Sequence, residues 1–222
     1  MAVQVEFLKS IPYFYGLSDS EIDSVRRYIF EKKAGRGEIL SFEDEPADVL
    51  YFVVAGAVKV FKTSADGKEQ IFSIIRPGES FNDVAVLSGG VSLVSAEAMG
   101  AVTLNAIKKN DLEVVLREHP QVALNVIQVL SRRVQELVSL VEDFSFRHVT
   151  GRVAKMLLEY AGDGVGERPR LTQQEMAAMI GTAREMVGRS LKNLEAEGTI
   201  RMERNRIIIT DQKGLREMAG VA

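Results

Sequence analysis

The stretch LTQQEMAAMIGTAREMVGRSLKNLEAEG, residues 171–198, carries the side chains with the most specific chemistry in this 222-residue chain. Arg184, Glu185, Arg189 and Lys192 recur at spacings that put them along one side of a helix, just after Gly181. Arginine offers paired N–H donors that match guanine O6 and N7, and glutamate can accept from cytosine N4. A helix-turn-helix presents the first residues of its second helix to base edges. Arg184, Glu185 and Arg189 are therefore the expected base-reading residues, each good pair discriminating by about 1–3 kcal/mol. Thr172, Gln174, Thr182 and Lys192 suit phosphate oxygens, which position a protein without specifying sequence. The competing use of the same charges is a solvated helix with an i,i+4 pair from Glu185 to Arg189.

Such side chains need a rigid mount, and the surrounding sequence supplies one. Thr172-Gln173-Gln174-Glu175 fits a capping box, in which Thr and Glu satisfy two orphan amides of a starting helix. Ala177 and Gly181 suit two helices crossing closely, with glycine free to take positive φ in the turn. Thr182 is the expected cap of the next helix, and Met186, Val187 and Leu191 its expected apolar contacts. TIRMERNRIIIT then reads as two short strands around Arg204, Asn205 and Arg206. Upstream, RHVTGRVAKMLLEYAG begins a new helical unit with Thr150 as its expected cap, and DGVGERPR is a polar loop.

Before that unit, Pro120 opens a run to about Phe146 without an internal Gly or Pro. Ile127, Leu130, Val134, Leu137, Val141 and Phe144 recur at alternating spacings of 3 and 4, a heptad seam. A helix of this length extends about 40 Å. Its narrow stripe fits a partner helix better than a broad core face, so homodimerisation is expected along it.

From Gly35 to about Leu116 the texture is short apolar runs broken by turns: GEILSF, VLYFVVAGAVKVF, EQIFSII, VSAEA and VTLNAI. Asp66-Gly67 marks a hairpin, and Gly56 and Pro77-Gly78 mark corners. Ahead of them LSDSEIDSVRRYIF reads as a helix capped by Ser18 with Glu21. The expected fold class is α+β: an antiparallel β-roll or jelly roll with a lead-in helix over 1–118, a dimerisation helix over 119–146, and a winged helix-turn-helix over 147–222.

Composition narrows the function further. Residues are 46% hydrophobic and 27% charged, ordinary for a globular chain. No cysteine is present, which excludes disulfides, cysteine-ligated zinc and iron-sulfur clusters. The start MAVQVEFLKSIPYF does not read as a signal peptide, and no apolar run approaches a membrane span, so a cytoplasmic location without membrane contact is expected. Net charge is -3 overall, yet residues 147–222 hold 13 Lys plus Arg against 10 Asp plus Glu, while residues 1–146 hold 15 against 21. A basic C-terminal third on an acidic body points to an anionic partner for the former. No nucleophile-and-base set, metal spacing or phosphate-cradling glycine loop is evident, so no enzyme activity is expected.

TQQEMAAMIGTAREMVGRSLKNLEAEG followed by TIRMERNRIIIT resembles the winged helix-turn-helix of the CRP/FNR family of bacterial transcription regulators, and the resemblance extends over almost the whole chain, including a VTGR hinge at Val149–Arg152. Arg184, Glu185 and Arg189 match the Arg-Glu-x-x-x-Arg pattern of the family's cyclic-AMP receptor branch. The resemblance implies double-stranded DNA as partner, a palindromic operator with TGTGA-like half-sites, a homodimer, and RNA polymerase as a further partner. The sensor departs from the family pattern. GESFNDVAVLSGGVSLVSAEA places Asp83-Val84 where the cyclic-AMP cassette has Gly-Glu, and Val94-Ser95 where it has Arg-Ser, so the phosphate-neutralising arginine and ribose-binding glutamate are both valine. The adenine-contacting Thr-Ser pair is Leu137-Val138. Cyclic AMP in the family's usual mode is therefore not expected. The family's haem sensor uses a β-roll histidine, whereas His119 and His148 lie outside the roll; no haem, iron-sulfur or metal site is expected. Asn82, Asp83, Val94, Ser95, Leu137 and Val138 mark where an effector would sit, unless they merely close a core. The expected function is a homodimeric, sequence-specific DNA-binding transcription regulator switched by an effector other than cyclic AMP. The alternatives are an effector-independent regulator with a degenerate sensor pocket, and a ligand-binding module acting on a protein partner.

Overall fold

Two patterns of burial in one strand set the architecture of the N-terminal half. In the computed structural model, which describes residues 4–162, 171–203 and 206–221, the run VLYFVVA forms strand Val49–Ala55, and its residues 50–53 are all buried. Successive side chains of a strand point to opposite faces, so this strand needs an apolar layer on each side. Leu50 and Phe52 join a core with helix residues Leu8, Phe14, Ile22, Val25, Leu112, Val115 and Val122. Tyr51 and Val53 join a second core between two sheets.

The order of elements is α1 (Val5–Ser10), a 3-10 turn (Pro12–Phe14), α2 (Asp19–Arg26), β1 (Ile29–Ala34), β2 (Ile39–Ser41), β3 (Val49–Ala55), β4 (Val58–Thr63), β5 (Glu69–Ile75), β6 (Ser80–Phe81), α3 (Asp83–Ser88), β7 (Ser95–Ala98), β8 (Val102–Lys108), α4 (Lys109–Glu118) and α5 (Pro120–Phe146). Two four-stranded sheets, ordered β1-β8-β3-β6 and β2-β7-β4-β5, make the roll. Every pairing with a stated register is antiparallel. At the Asp66-Gly67 turn Gly67 takes φ +80 and the Ser64 amide donates to the Lys68 carbonyl at 2.9 Å. Ser18 and Glu21 form the expected capping box at α2. That helix stops at Arg26, and Ile29 and Phe30, expected inside it, begin β1 instead, paired to Ile107 and Ala106. Pairing with β8 outweighs local helical propensity there. The short elements α1, β6 and α3 carry no periodic pattern long enough to read from sequence, whereas α4, with Leu112, Val115 and Leu116 at helical spacing, was missed although its pattern is present.

After α5 come α6 (Val149–Gly162), α7 (Gln173–Ile180), α8 (Arg184–Ala196), β9 (Ile200–Glu203), β10 (Arg206–Ile209) and α9 (Gln212–Ala219). Val153, Leu157, Met176, Ala177, Ile180, Val187, Leu191, Leu194 and Leu215 form their common core. Strands β9 and β10 pair as the expected antiparallel hairpin, with Arg206 opposite Glu203. Arg204, Asn205 and the whole of DGVGERPR, residues 163–170, lie outside the described residues. Thr150, expected as a cap, sits inside α6, where its hydroxyl lies 3.2 Å from that of Ser190 on α8.

By internal contacts the chain divides into two compact units, Met1–Lys62 with Phe72–Gln135, and Thr63–Ile71 with Glu136–Ala222. The division falls within α5 rather than at its ends. No helix among the described residues is long and apolar enough to cross a membrane.

Phe52 is fully buried and stands edge-on to Tyr13 at 5.1 Å. Phe52→Ala is expected to lower the stability of the N-terminal unit by about 3–5 kcal/mol, read from denaturant unfolding.

Candidate functional site

Thr172 caps α7: its hydroxyl accepts from the Glu175 amide at 3.1 Å, and the Glu175 carboxylate accepts from the Thr172 amide at 2.6 Å. The helix ends on Gly181 at φ +64, with the Gly181 amide donating to the Ala177 carbonyl. A Cβ at Gly181 would lie 2.8 Å from Phe144 Cε1, so both backbone conformation and space require glycine. The next helix starts one residue later than expected. Its N-cap is Ala183, without a side-chain cap bond, and Thr182 instead donates its backbone amide to Ala177.

On α8 each residue turns about 100° from the last. Val187, Ser190, Leu191 and Leu194 are buried and share one side. Glu185, Arg189 and Lys192 fall on the opposite side, Arg184 lies on the flank in the first turn, and all four are exposed. Among the described residues none of the four has an ion-pair or hydrogen-bond partner, so the Glu185–Arg189 pair does not form. Met186, expected in the core, is exposed as well. Four unpaired hydrogen-bonding groups thus project from the first three turns of a helix whose rear is locked in a core. Thr172 and Gln174 are exposed at the start of α7, and Thr182 is half-buried in the turn. Beside them the Glu195 carboxylate accepts from the Met202 amide at 2.8 Å, fixing β9 to α8, and Arg201 pairs with Glu203 at 2.7 Å.

The residues marked for a sensor site behave differently. Asn82 takes φ 71, where glycine is usual, and its side chain is spent internally. It donates to the Val49 carbonyl at 2.9 Å and accepts from Ser92 Oγ at 2.7 Å. Asp83 is 1% exposed. Its carboxylate accepts from Tyr13 at 2.8 Å, from Ser80 Oγ at 3.2 Å, from the Val84 amide at 2.9 Å, and from the guanidinium of Arg133 on α5. Arg133 also donates to the Ser80 carbonyl. Burial, reinforced by the Asp83 charge, pushes the Tyr13 phenol well above the usual tyrosine range. Ser95 accepts from the Glu43 amide at 3.0 Å, and Val94 is half-buried beside it. Leu137 and Val138 are exposed on the part of α5 that belongs to the other unit. Tyr13 and Arg133, 70 and 50 positions from Asp83, carry no sequence signal that marks them as its partners, and Ser80, three positions away, was not singled out.

The seam residues of α5 are mostly bare: Ile127 60%, Val134 60%, Leu137 51% and Val141 62% exposed. Leu130 instead packs partly against the N-terminal core, and Phe144 is partly covered by the Gly181 turn and the Arg152 guanidinium.

An antiparallel roll followed by a long helix and a winged helix-turn-helix with a free polar reading face defines the class: a DNA-binding regulator with a sensor-type domain. The cyclic nucleotide-binding domain family matches residues 31–119, and the Crp-like helix-turn-helix domain family matches residues 151–218. The chain is 31% identical to the cyclic AMP receptor protein of Thermus thermophilus, over 96% of its own length and 98% of that protein's. It is 28% identical to the CRP-like cAMP-activated global transcriptional regulator of Mycobacterium tuberculosis, over 96% and 99%. Among solved structures, FixK2 from Bradyrhizobium japonicum matches with a TM-score of 0.77 at 25% identity, covering 87% of this chain and 98% of that one. The chain belongs to the CRP/FNR family of transcription regulators, and it is a DNA-binding regulator of that type.

Because the folded Tyr13 phenol keeps its proton where an unfolded tyrosine loses it, stability is expected to fall as pH rises past about 10. Tyr13→Phe is expected to flatten that fall, measured by denaturant midpoints across the alkaline range.

Proposed function

We propose that this regulator acts as a homodimer on a palindromic operator, with residues 1–118 as sensor, 119–146 as dimerisation helix and 147–222 as DNA-binding head. The observation that carries the reading is the exposed and unpartnered set Arg184, Glu185 and Arg189 at the start of α8. These read base edges, while Thr172, Gln174, Thr182 and Lys192 hold phosphates. The bare seam of Ile127, Val134, Leu137 and Val141 supports pairing with the same helix of a second copy, each apolar side chain contributing about 1.5–3 kcal/mol on full burial. A two-fold dimer then spans half-sites about 34–36 Å apart, TGTGA-like by resemblance. RNA polymerase is the further partner, and the protein works in the cytoplasm, where a bacterial chromosome lies.

The effector is a molecule other than cyclic AMP. Val94 offers no cation to a cyclic phosphate, and the buried Asp83 carboxylate already holds Arg133. Burying a phosphate without a cation or enough donors is costly. The internal satisfaction of Asn82 and Asp83 favours a second reading, in which the regulator needs no effector.

On a duplex with inverted TGTGA half-sites, Arg184→Ala is expected to weaken specific binding by about 1–3 kcal/mol and relax preference at one base pair. Lys192→Ala is expected to weaken all sequences alike and reduce the slope of log affinity against log salt by about one unit. Fluorescence anisotropy titrations read both, and equal effects of the two variants on every sequence would remove the assignment of base reading to Arg184. Added cyclic AMP is expected to leave the wild-type affinity unchanged in the same titration; strengthened binding would return cyclic AMP as the effector.

A further inference from the structure

The last turns of α5 hold a charge cluster that neither the DNA-reading face nor the sensor residues use. Asp143, its side chain 13% exposed, accepts from Arg147 Nε at 2.7 Å through one carboxylate oxygen and from Lys155 Nζ of α6 at 2.5 Å through the other. Lys155 also donates to Ser139 Oγ at 2.9 Å, and its side chain is 16% exposed. Arg147 reaches on to donate to the Ala219 carbonyl at the end of α9. Arg152 of α6 donates to the Arg147 carbonyl at 3.1 Å, and its guanidinium lies 5.5 Å from the centre of the Phe144 ring.

One carboxylate thereby joins three helices at a point where only residues 147 and 148 separate α5 from α6. Two intervening residues leave a few backbone dihedrals as the only covalent limit on the angle between these helices. We propose that Asp143 is a latch that fixes this angle, a positioning residue through which the base-reading face of α8 takes the tilt that paired half-sites demand. This rests on the dimeric reading above. Without the carboxylate, Lys155 and Arg147 lose their common anchor, and Lys155 keeps only the Ser139 hydroxyl and a 3.9 Å contact to Glu159 of its own helix. Both have long stems that carry the charge to water, so the helices part while the separate cores persist. Partial burial shields the pair from salt better than an open surface contact.

The test uses the full chain and a palindromic duplex recovered by selection from random DNA, together with versions carrying one or two base pairs inserted or deleted between half-sites. Adding two base pairs swings one half-site about the duplex axis by roughly 70°, and wild type is expected to lose about tenfold or more in affinity. Asp143→Asn and Lys155→Met are each expected to bind the altered spacings within about threefold of the best one. Asp143→Glu, which keeps the charge, is expected to restore the wild-type preference. A purely structural loss would lower affinity on every spacing and leave the ratio between spacings intact. Lys155→Met keeps the side-chain stem and serves if Asp143→Asn proves too unstable to purify. Wild-type spacing ratios in both variants would overturn the latch alone; a wild type indifferent to spacing would overturn the dimeric reading with it.

Discussion

Burial of Val187, Leu191 and Leu194 in the C-terminal core fixes the rotation of α8 about its own axis. That single constraint decides which side chains are exposed on the helix. With these three held inside, Glu185, Arg189 and Lys192 face out, and Arg184, at the start of the helix, is exposed on its flank. The αL turn at Gly181 and the capping box at Thr172 fix where α8 begins, while the Glu195 carboxylate ties the wing strand to it. Apolar packing supplies the rigidity and the polar caps supply the register. The charged groups themselves contribute little to the fold, which leaves their hydrogen-bonding capacity free for bases and phosphates.

The N-terminal unit follows the opposite principle, since its most informative polar groups are turned inward and satisfied. Asp83 takes donors from Tyr13, Ser80, the Val84 amide and Arg133, so an anion buried to 1% exposure has compensation on every side. Asn82 accepts strained positive φ and repays it with bonds to Val49 and Ser92. A ligand that engaged these residues would first have to break that set.

What could be read from sequence was local or periodic. The bounds of α5 follow from an uninterrupted 3-and-4 repeat with a proline at its head, and the two capping boxes and the Asp66-Gly67 turn each involve residues within four positions. What escaped was set by distant partners. Tyr13 meets Asp83 across 70 positions and Arg133 meets it across 50, with no pattern linking them. The first two residues of β1, Ile29 and Phe30, read as helix and its remaining four carry no signal, because only pairing to β8 distinguishes the strand. Met186 reverses its expected burial, since the packing of Val187 sets the rotation of the helix, while Leu130 of the seam is partly buried where α5 still touches its own domain. Met186 shows the limit of composition, since an apolar side chain at a helical spacing gives no information on which neighbour will bury it.

The central claim is that a fixed, outward polar face on α8 reads base pairs, twice, on a two-fold target. Sequencing the duplexes that the full-length protein enriches from a random DNA pool addresses it directly. The account predicts an inverted repeat whose half-site centres lie about one helical turn apart. Enrichment of a lone, non-palindromic site, or of no sequence at all, would contradict it.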